Sequence, residues 1–408
     1  MIGSLYTGIS GLNANVTAMS VIGDNIANVN TTAFKSNRAS FQNVLSQSLT
    51  GSDSNSIGRG VNMSGTSASW SQGTFETTNN GTDLAINGKG FFMVQDSAGL
   101  NYYTRDGGFY FDADGNLVNS DGFTVQGYAV DTVDTDGTFT LGSLGDICIT
   151  GSTSAPSATT KMATTLNLDA DAEVGDIFNT TITLFDSLGG EVPVTIEFTN
   201  TGPGAWGWAA TVPATVGTCA STGAITFDAN GDLATPGANP TIDITALING
   251  ANDVSTTWEF LDDTGATDGS ITGYASPSIT TFLNQNGYTA GSLQGASVDE
   301  DGVVTGLFSN GEIPPLFQLC LADFPNYQGL QGIGKNLYAQ SRESGQATPG
   351  VPGTGRLGLI SPSTLEMSNV DLAQEFVKMI TTQRAFQANS KVITTSDEIL
   401  SDLINIKR

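Results

Sequence analysis

Toward the C-terminal end, Leu372, Met379, Phe386, Ile393 and Leu400 recur at a strict interval of seven residues. Phe376 and Ile404 occupy the position four residues on, while Gln383, Ser390 and Asp397 dilute that second row with polar groups. Ser368-Asn369-Val370-Asp371 precedes the pattern with a serine and, three residues later, a carboxylate, the arrangement of a capping box at a helix start. No glycine or proline interrupts residues 368–408, so the pattern predicts one helix of about 50 Å at roughly 1.5 Å per residue. A seam sustained over so many heptads requires a partner helix.

The opposite end of the chain offers one. Leu5, Ile9, Leu12, Val16, Met19 and Ile26 advance by alternating fours and threes, with Ile22 close to the gap. Gly8, Gly11 and Gly23 lie within the same stretch, and each disfavours a helix by about 1 kcal/mol relative to alanine. Such a segment is marginal alone and becomes a full helix only against a partner seam. Residues 29–72, rich in Ser, Asn, Gly and Thr, read as a connector with a short helix over 38–48.

From about Trp70 the period changes to two. Ile86, Phe91-Phe92-Met93-Val94, Tyr102-Tyr103, Phe109 with Phe111, and Leu117-Val118 read as short strands between Gly, Asp and Asn turns. A second run of strands covers 162–274, clearest in Val192/Val194/Ile196/Phe198 and Trp206/Trp208/Ala210/Val212. A Gly/Ser/Thr/Ala/Pro segment at 150–160 separates the two, and after about residue 280 the character of the first run resumes. The expected fold is α+β and mostly β: long N- and C-terminal coiled-coil helices with nested all-β domains between them. The divisions are 1–30 with 365–408 for the terminal helices, 31–70 for the connector, 71–149 with 280–364 for a discontinuous β-domain, and 150–279 for an inserted outer β-domain.

Charge sharpens this division. Of 40 acidic residues one lies in 1–50 and five in 370–408; of 14 basic residues two and five lie there. The middle, 51–369, therefore holds 34 acids against 7 bases. Nearly uncharged ends suit association, and an acidic middle suits water. A net charge of −26 opposes nucleic acid and anionic lipid as partners, because their phosphates would be repelled. No run reaches the roughly 18 apolar residues of a membrane span, and Met1-Ile2-Gly3-Ser4 lacks the basic start and apolar core of a signal peptide.

Candidate chemistry is sparse. The chain has no histidine, which removes Ser/His/Asp and Cys/His triads and every His-containing metal site. Cys148, Cys219 and Cys320 fit no metal spacing and read as buried thiols. Asp112-Ala-Asp114-Gly-Asn116 and Asp228-Ala-Asn230-Gly-Asp232 begin like calcium loops but lack the glycine and the bidentate glutamate that such loops need. They read as hairpin turns, as does Asp299-Glu-Asp-Gly. Neither an enzyme nor a cofactor or metal site is expected.

The end segments also carry motifs. Residues 24–35, Asp-Asn-Ile-Ala-Asn-Val-Asn-Thr-Thr-Ala-Phe-Lys, resemble the N-terminal signature of the bacterial flagellar axial proteins, the family of rod, hook and hook-associated subunits. Ser368-Asn369-Val370-Asp371-Leu372-Ala373 and the run 382–391 resemble its C-terminal counterpart. Gly90-Phe91-Phe92-Met93-Val94, Tyr103-Thr104-Arg105-Asp106-Gly107, Gly127-Tyr128, the run 284–288 and the run 330–334 resemble its shared β-domain. Ala33 stands where the family often has glycine. One inserted domain in 408 residues is similar to the hook-forming members, since rod members are usually shorter and the first hook-associated member longer.

The resemblance implies a tubular homopolymer that acts as a flexible joint passing torque from rod to filament. Terminal helices of neighbouring subunits would line a central channel, with β-domains stacked outside. The implied partners are the distal rod protein, the hook cap protein, the hook-associated junction protein and the flagellar export apparatus. The implied location is extracellular, in the flagellar basal body and hook, reached without a cleaved signal peptide. The expected assembly interface comprises Leu5, Ile9, Leu12, Val16, Met19, Asn25, Ile26, Asn28, Leu372, Phe376, Met379, Phe386, Ile393 and Leu400. Rival readings are a distal rod or hook-associated subunit, a secreted β-rich adhesin, and a glycan-active enzyme using paired carboxylates.

Overall fold

In the computed structural model, residues 2–44, 47–48, 56–133, 139–149, 151, 153–261 and 269–406 are described. The fold is mostly β with one helix at each end: α1 spans Ile2–Ala27 and α2 spans Leu372–Ile406. Two compact units divide the chain, one formed by 1–150, 296–306 and 314–408 and the other by 151–295 and 307–313. The second unit thus runs past residue 279, where the change of sequence character set its expected end, and takes in 307–313 as well.

The first unit builds its β-structure from both sides of the sequence. Phe91–Gln95 pairs with Asn101–Thr104 on one side and with Leu321–Asp323 on the other. Thr124–Val133 pairs with Phe139–Asp146 and with Pro315–Leu319. The unbroken apolar run Phe91–Val94 has a direct explanation: both faces of this strand are covered. Phe92 and Val94 enter a core with Leu84, Ile86, Leu117, Val125 and Leu319. Phe91 and Met93 enter the opposite core with Tyr103, Cys320, Ala322 and Phe324, against which Trp70, Tyr327 and Tyr338 pack.

The second unit is a sandwich of two sheets. Ile177–Phe185, Glu191–Gly202, Ala205–Thr211, Thr222–Phe227 and Leu233–Thr235 form one in sequential order. The other contains Thr218–Cys219, Thr241–Thr245, Val254–Glu259, Lys161–Asn167, Ile271–Thr272 and Ile279–Gln285. Along Glu191–Gly202 the side chains of Val192, Val194, Ile196 and Phe198 are buried in alternation with more accessible ones, as a half-buried strand requires. Trp258 of the second sheet meets Trp208 at 5.3 Å and Phe198 at 6.0 Å between ring centroids, both edge to face.

Two local expectations, a helix over 38–48 and three buried thiols, are corrected. Residues 38–48 contain no helix among the described residues. Asn37–Asn43 is a strand paired antiparallel with Val61–Ala68, and a bulge after Ser40 breaks the register. The connector therefore folds on itself, because strand pairing satisfies backbone groups that a polar helix without an apolar stripe could not bury. The thiols are not uniformly buried: Cys320 is, Cys219 is half-buried and Cys148 is exposed. The acidic loops are turns closed by their own backbone. The Oδ1 atom of Asp112 accepts from the Asn116 N–H at 2.8 Å, and Oδ1 of Asp228 accepts from the N–H groups of Asn230 and Asp232 at 2.8 and 2.9 Å. The Asn116 side-chain amide, donating to Asp112 Oδ2 at 3.1 Å, and then its backbone N–H lower the Asp112 carboxyl below the usual carboxylate range, and the N–H groups of Asp232 and Asn230 do the same at Asp228.

Candidate assembly interface: the paired termini and their junction

The two terminal helices lie side by side and antiparallel. Ser4 Oγ is 3.2 Å from Ser396 Oγ near one end, and Asn25 Nδ2 donates to Glu375 Oε2 at 3.3 Å near the other. Between these points α1 turns its smallest residues toward α2. Gly8, Gly11, Ala14, Ala18 and Ile22 form the buried stripe. A Cβ on Gly8 would stand 2.9 Å from Ile393, and one on Gly11 would stand 2.8 Å from the Asn389 side chain. The glycines that cost helix propensity thus allow the backbones to approach, as small residues do at close helix crossings.

On α2 the buried or half-buried positions are Glu375, Met379, Thr382, Ala385, Asn389, Ser390, Ile393, Ser396 and Leu400, spaced by threes and fours apart from Ser390 beside Asn389. The polar row beside the apolar one is therefore Thr382, Asn389 and Ser396, three residues on. Of the row four residues on, Gln383 and Asp397 are exposed and Ser390 is half-buried. Of the residues expected at the interface, Met379, Ile393, Leu400, Leu5, Leu12, Met19, Ile26 and Asn28 are half-buried in the single chain. Ile9, Val16, Leu372, Phe376 and Phe386 point outward, Val16 and Phe376 being 52% and 50% exposed. Tyr6, Val377, Ile380, Val392 and Ile399 extend these open apolar rows. Asn25 is buried and structural: its Nδ2 donates to the Asn37 carbonyl and its Oδ1 accepts from the Asn37 N–H, both at 2.8 Å.

Where the helices leave the β-structure, a buried charge cluster fastens them. Glu366 sits in the strand Thr364–Glu366, just before α2, and is fully enclosed. Its Oε1 meets Lys35 Nζ at 2.6 Å and accepts from the Gly73 N–H at 2.9 Å; its Oε2 lies 3.5 Å from Arg105. Lys35 Nζ also donates to the Ser71 carbonyl at 2.9 Å, and Arg105 to the Gly88 carbonyl at 2.9 Å. Burial pulls both cations below their ordinary pKa values, while Glu366 pushes each the other way. Asn369 completes the seam: its Oδ1 accepts from the Ser36 N–H at 2.7 Å, and its Nδ2 donates to the Ser69 carbonyl at 2.8 Å. Segments 33–37, 69–73, 105 and 366–369 meet here.

Ala33 explains a departure noted in the sequence. Its φ is 55°, in the left-handed region that favours glycine, and it is buried with its N–H bonded to the Glu366 carbonyl at 2.7 Å. Lys35 and Arg105 fall inside sequence motifs quoted above, yet nothing there indicates that they share one carboxylate. Glu366 carries no local signal at all.

Comparison with known proteins follows the same order along the chain. Residues 5–35 match the family model described as flagella basal body rod protein, and 85–171 match the flagellar hook protein FlgE/F/G D1 domain. Residues 158–288 match the flagellar basal body protein FlaE D2 domain, and 361–406 match the flagellar basal body rod FlgEFG protein C-terminal model. These matches define the class, a flagellar axial protein. Curated relatives narrow it. The flagellar hook protein FlgE of Escherichia coli K12 is 35% identical over 98% of both chains. That of Borreliella burgdorferi is 35% identical over the whole of both chains. A crystal structure of Helicobacter pylori flagellar hook protein FlgE2 shares the fold, with a TM-score of 0.52 over 72% of this chain and all of that one, at 15% identity. The chain belongs to the flagellar hook protein FlgE family, a family of structural proteins and not of enzymes.

Proposed function

We propose that this chain polymerises into the hook tube through its terminal helices. It is a structural subunit of the bacterial flagellar hook. The observation that carries the polymer mechanism is the division of labour on α1 and α2. Small residues and one apolar row are spent on the pair within a subunit, and large apolar side chains are left open on the outer faces. Burying such a side chain fully contributes about 1.5–3 kcal/mol, so several together offset the cost of ordering marginal helices.

In this reading the helices of neighbouring subunits pack as coiled coils around a central channel. The β-rich units stack outside, and shallow polar contacts between them allow the sliding that bends the joint while torque passes from rod to filament. The interface comprises Leu5, Ile9, Leu12, Val16, Met19, Asn25, Ile26, Asn28, Leu372, Phe376, Met379, Phe386, Ile393 and Leu400. Export precedes assembly: the subunit leaves through the flagellar export apparatus without a cleaved signal peptide, adds extracellularly under the cap protein, and meets the distal rod protein below and the junction protein above. Among the described residues no helix is long and apolar enough to cross a membrane. A strain lacking the chain should retain its rod and lose its hook in isolated basal bodies. Loss of the rod as well would move the subunit to a more proximal position.

A further inference from the structure

The buried junction is unbalanced. Lys35 and Arg105 bring two positive charges to one carboxylate, Glu366, and all three are nearly inaccessible to water. A net charge held in a low-dielectric interior is costly unless an opposite charge reaches it. Arg105 shows the same deficit at atomic level: its Nε–H is buried and has no hydrogen-bond partner among the described residues.

Beside Arg105 lies a cavity of about 390 Å³. Its wall includes Lys89 and Arg356, so three of the seven basic residues in 51–369 line one hollow in a segment that carries 34 acids. Trp70, Phe324, Pro325 and Tyr327 supply apolar wall, and the Trp70 indole N–H is also buried without a hydrogen-bond partner. Arg356 reaches Asp323 only at 3.6 Å through Nε, and most of its side chain is exposed. Lys89 is exposed. Such a hollow has a cationic floor, two exposed cationic rims and an aromatic flank. It suits an aspartate or glutamate side chain, whose carboxylate meets the cations while its methylenes lie against the rings.

We infer that the Lys89–Arg105–Arg356 cavity is an acceptor for a carboxylate side chain of a second copy of this chain. The occupant follows from charge. The cavity is a basic spot on an acidic molecule, and identical acidic surfaces repel one another unless such spots interlock them. This inference rests on the polymer reading for its occupant, although the cavity's preference is a property of the single chain. A contact of this kind would offset repulsion between stacked subunits, and its own contribution to their association would weaken with added salt.

The test uses the full chain carrying tryptophan labelled with nitrogen-15 at the indole. Acetyl-Asp-Glu-Asp-Gly-amide, copied from the only run of three consecutive acids (299–301), is titrated in while the Trp70 indole resonance is followed. Comparison with the W70F variant assigns that resonance. A saturable shift at Trp70 is expected, with the indoles of Trp206, Trp208 and Trp258 unmoved. The shift should weaken at least tenfold in apparent affinity in the K89E/R356E variant, whose three other indoles report an intact second unit, and should be absent with acetyl-Asn-Gln-Asn-Gly-amide. No saturable shift, or an equal shift with the neutral peptide or in the variant, would overturn the acceptor. Tubes formed by K89E/R356E at the unaltered critical concentration and salt dependence would overturn the second copy as its occupant. Failure of the unaltered chain to form tubes would count against the polymer reading instead, with the peptide shift still deciding the cavity.

Discussion

Placing aspartate at Val16 and Phe376 together should raise the concentration needed for tube formation by roughly a hundredfold or more while leaving the single subunit as stable as before. Both side chains are about half exposed in the isolated chain, so little burial is lost when they change, and substitutions at such positions usually shift stability by no more than about 0.5 kcal/mol. In the proposed polymer the same side chains would face neighbouring helices. Replacing a buried apolar group by a carboxylate there forfeits about 1.5–3 kcal/mol per site and adds the cost of desolvating a charge. Two sites together amount to at least about 3 kcal/mol, and every 1.4 kcal/mol is tenfold in an association constant. Sedimentation at increasing protein concentration should show the critical concentration rising by roughly a hundredfold or more. The melting transition of the monomer should barely move. Unchanged assembly would place the outer faces of both helices outside the subunit contacts.

The second large effect concerns the junction. E366Q should cost the first unit about 3–5 kcal/mol, because it leaves two enclosed cations without their carboxylate. K35M should cost no more than about 2 kcal/mol, since Arg105 and Glu366 then remain as a balanced pair and the main loss is hydrogen bonds from Nζ. Scanning calorimetry of the full chain, following the transition of the first unit, measures the difference. Equal losses in the two variants would show that charge balance does not govern the cluster. The consequence for assembly follows from position: Lys35 stands shortly after α1 and Glu366 shortly before α2, so weakening their contact loosens the root of both helices at once.

How far such features can be read from sequence depends on whether they are written locally. The strands of the second unit are legible because half burial imposes alternation, and Val192, Val194, Ile196 and Phe198 keep it without interruption. The two terminal helices are legible for the same reason, their period being fixed by the turn of the helix. The face that α1 presents to α2 is not. A search for large apolar residues finds Leu5, Ile9, Leu12, Val16 and Met19, whereas the closest approach is made by Gly8 and Gly11, which lower any hydrophobic signal. Likewise the polar row of α2 that faces α1 lies at Thr382, Asn389 and Ser396, because helix packing selects the neighbour by geometry and tolerates small polar groups there. The charge cluster was illegible for a different reason. Lys35 and Glu366 are separated by 331 positions, and no periodicity links residues brought together only by the tertiary fold.

The most direct measurement is negative-stain microscopy of the chain lacking residues 1–28, set beside the full chain under identical assembly conditions. The full chain should form short curved tubes. The shortened chain should remain a soluble monomer whose circular dichroism is that of a β-rich protein, with no tubes at any concentration reached. Tubes from the shortened chain would contradict assembly through the paired terminal helices.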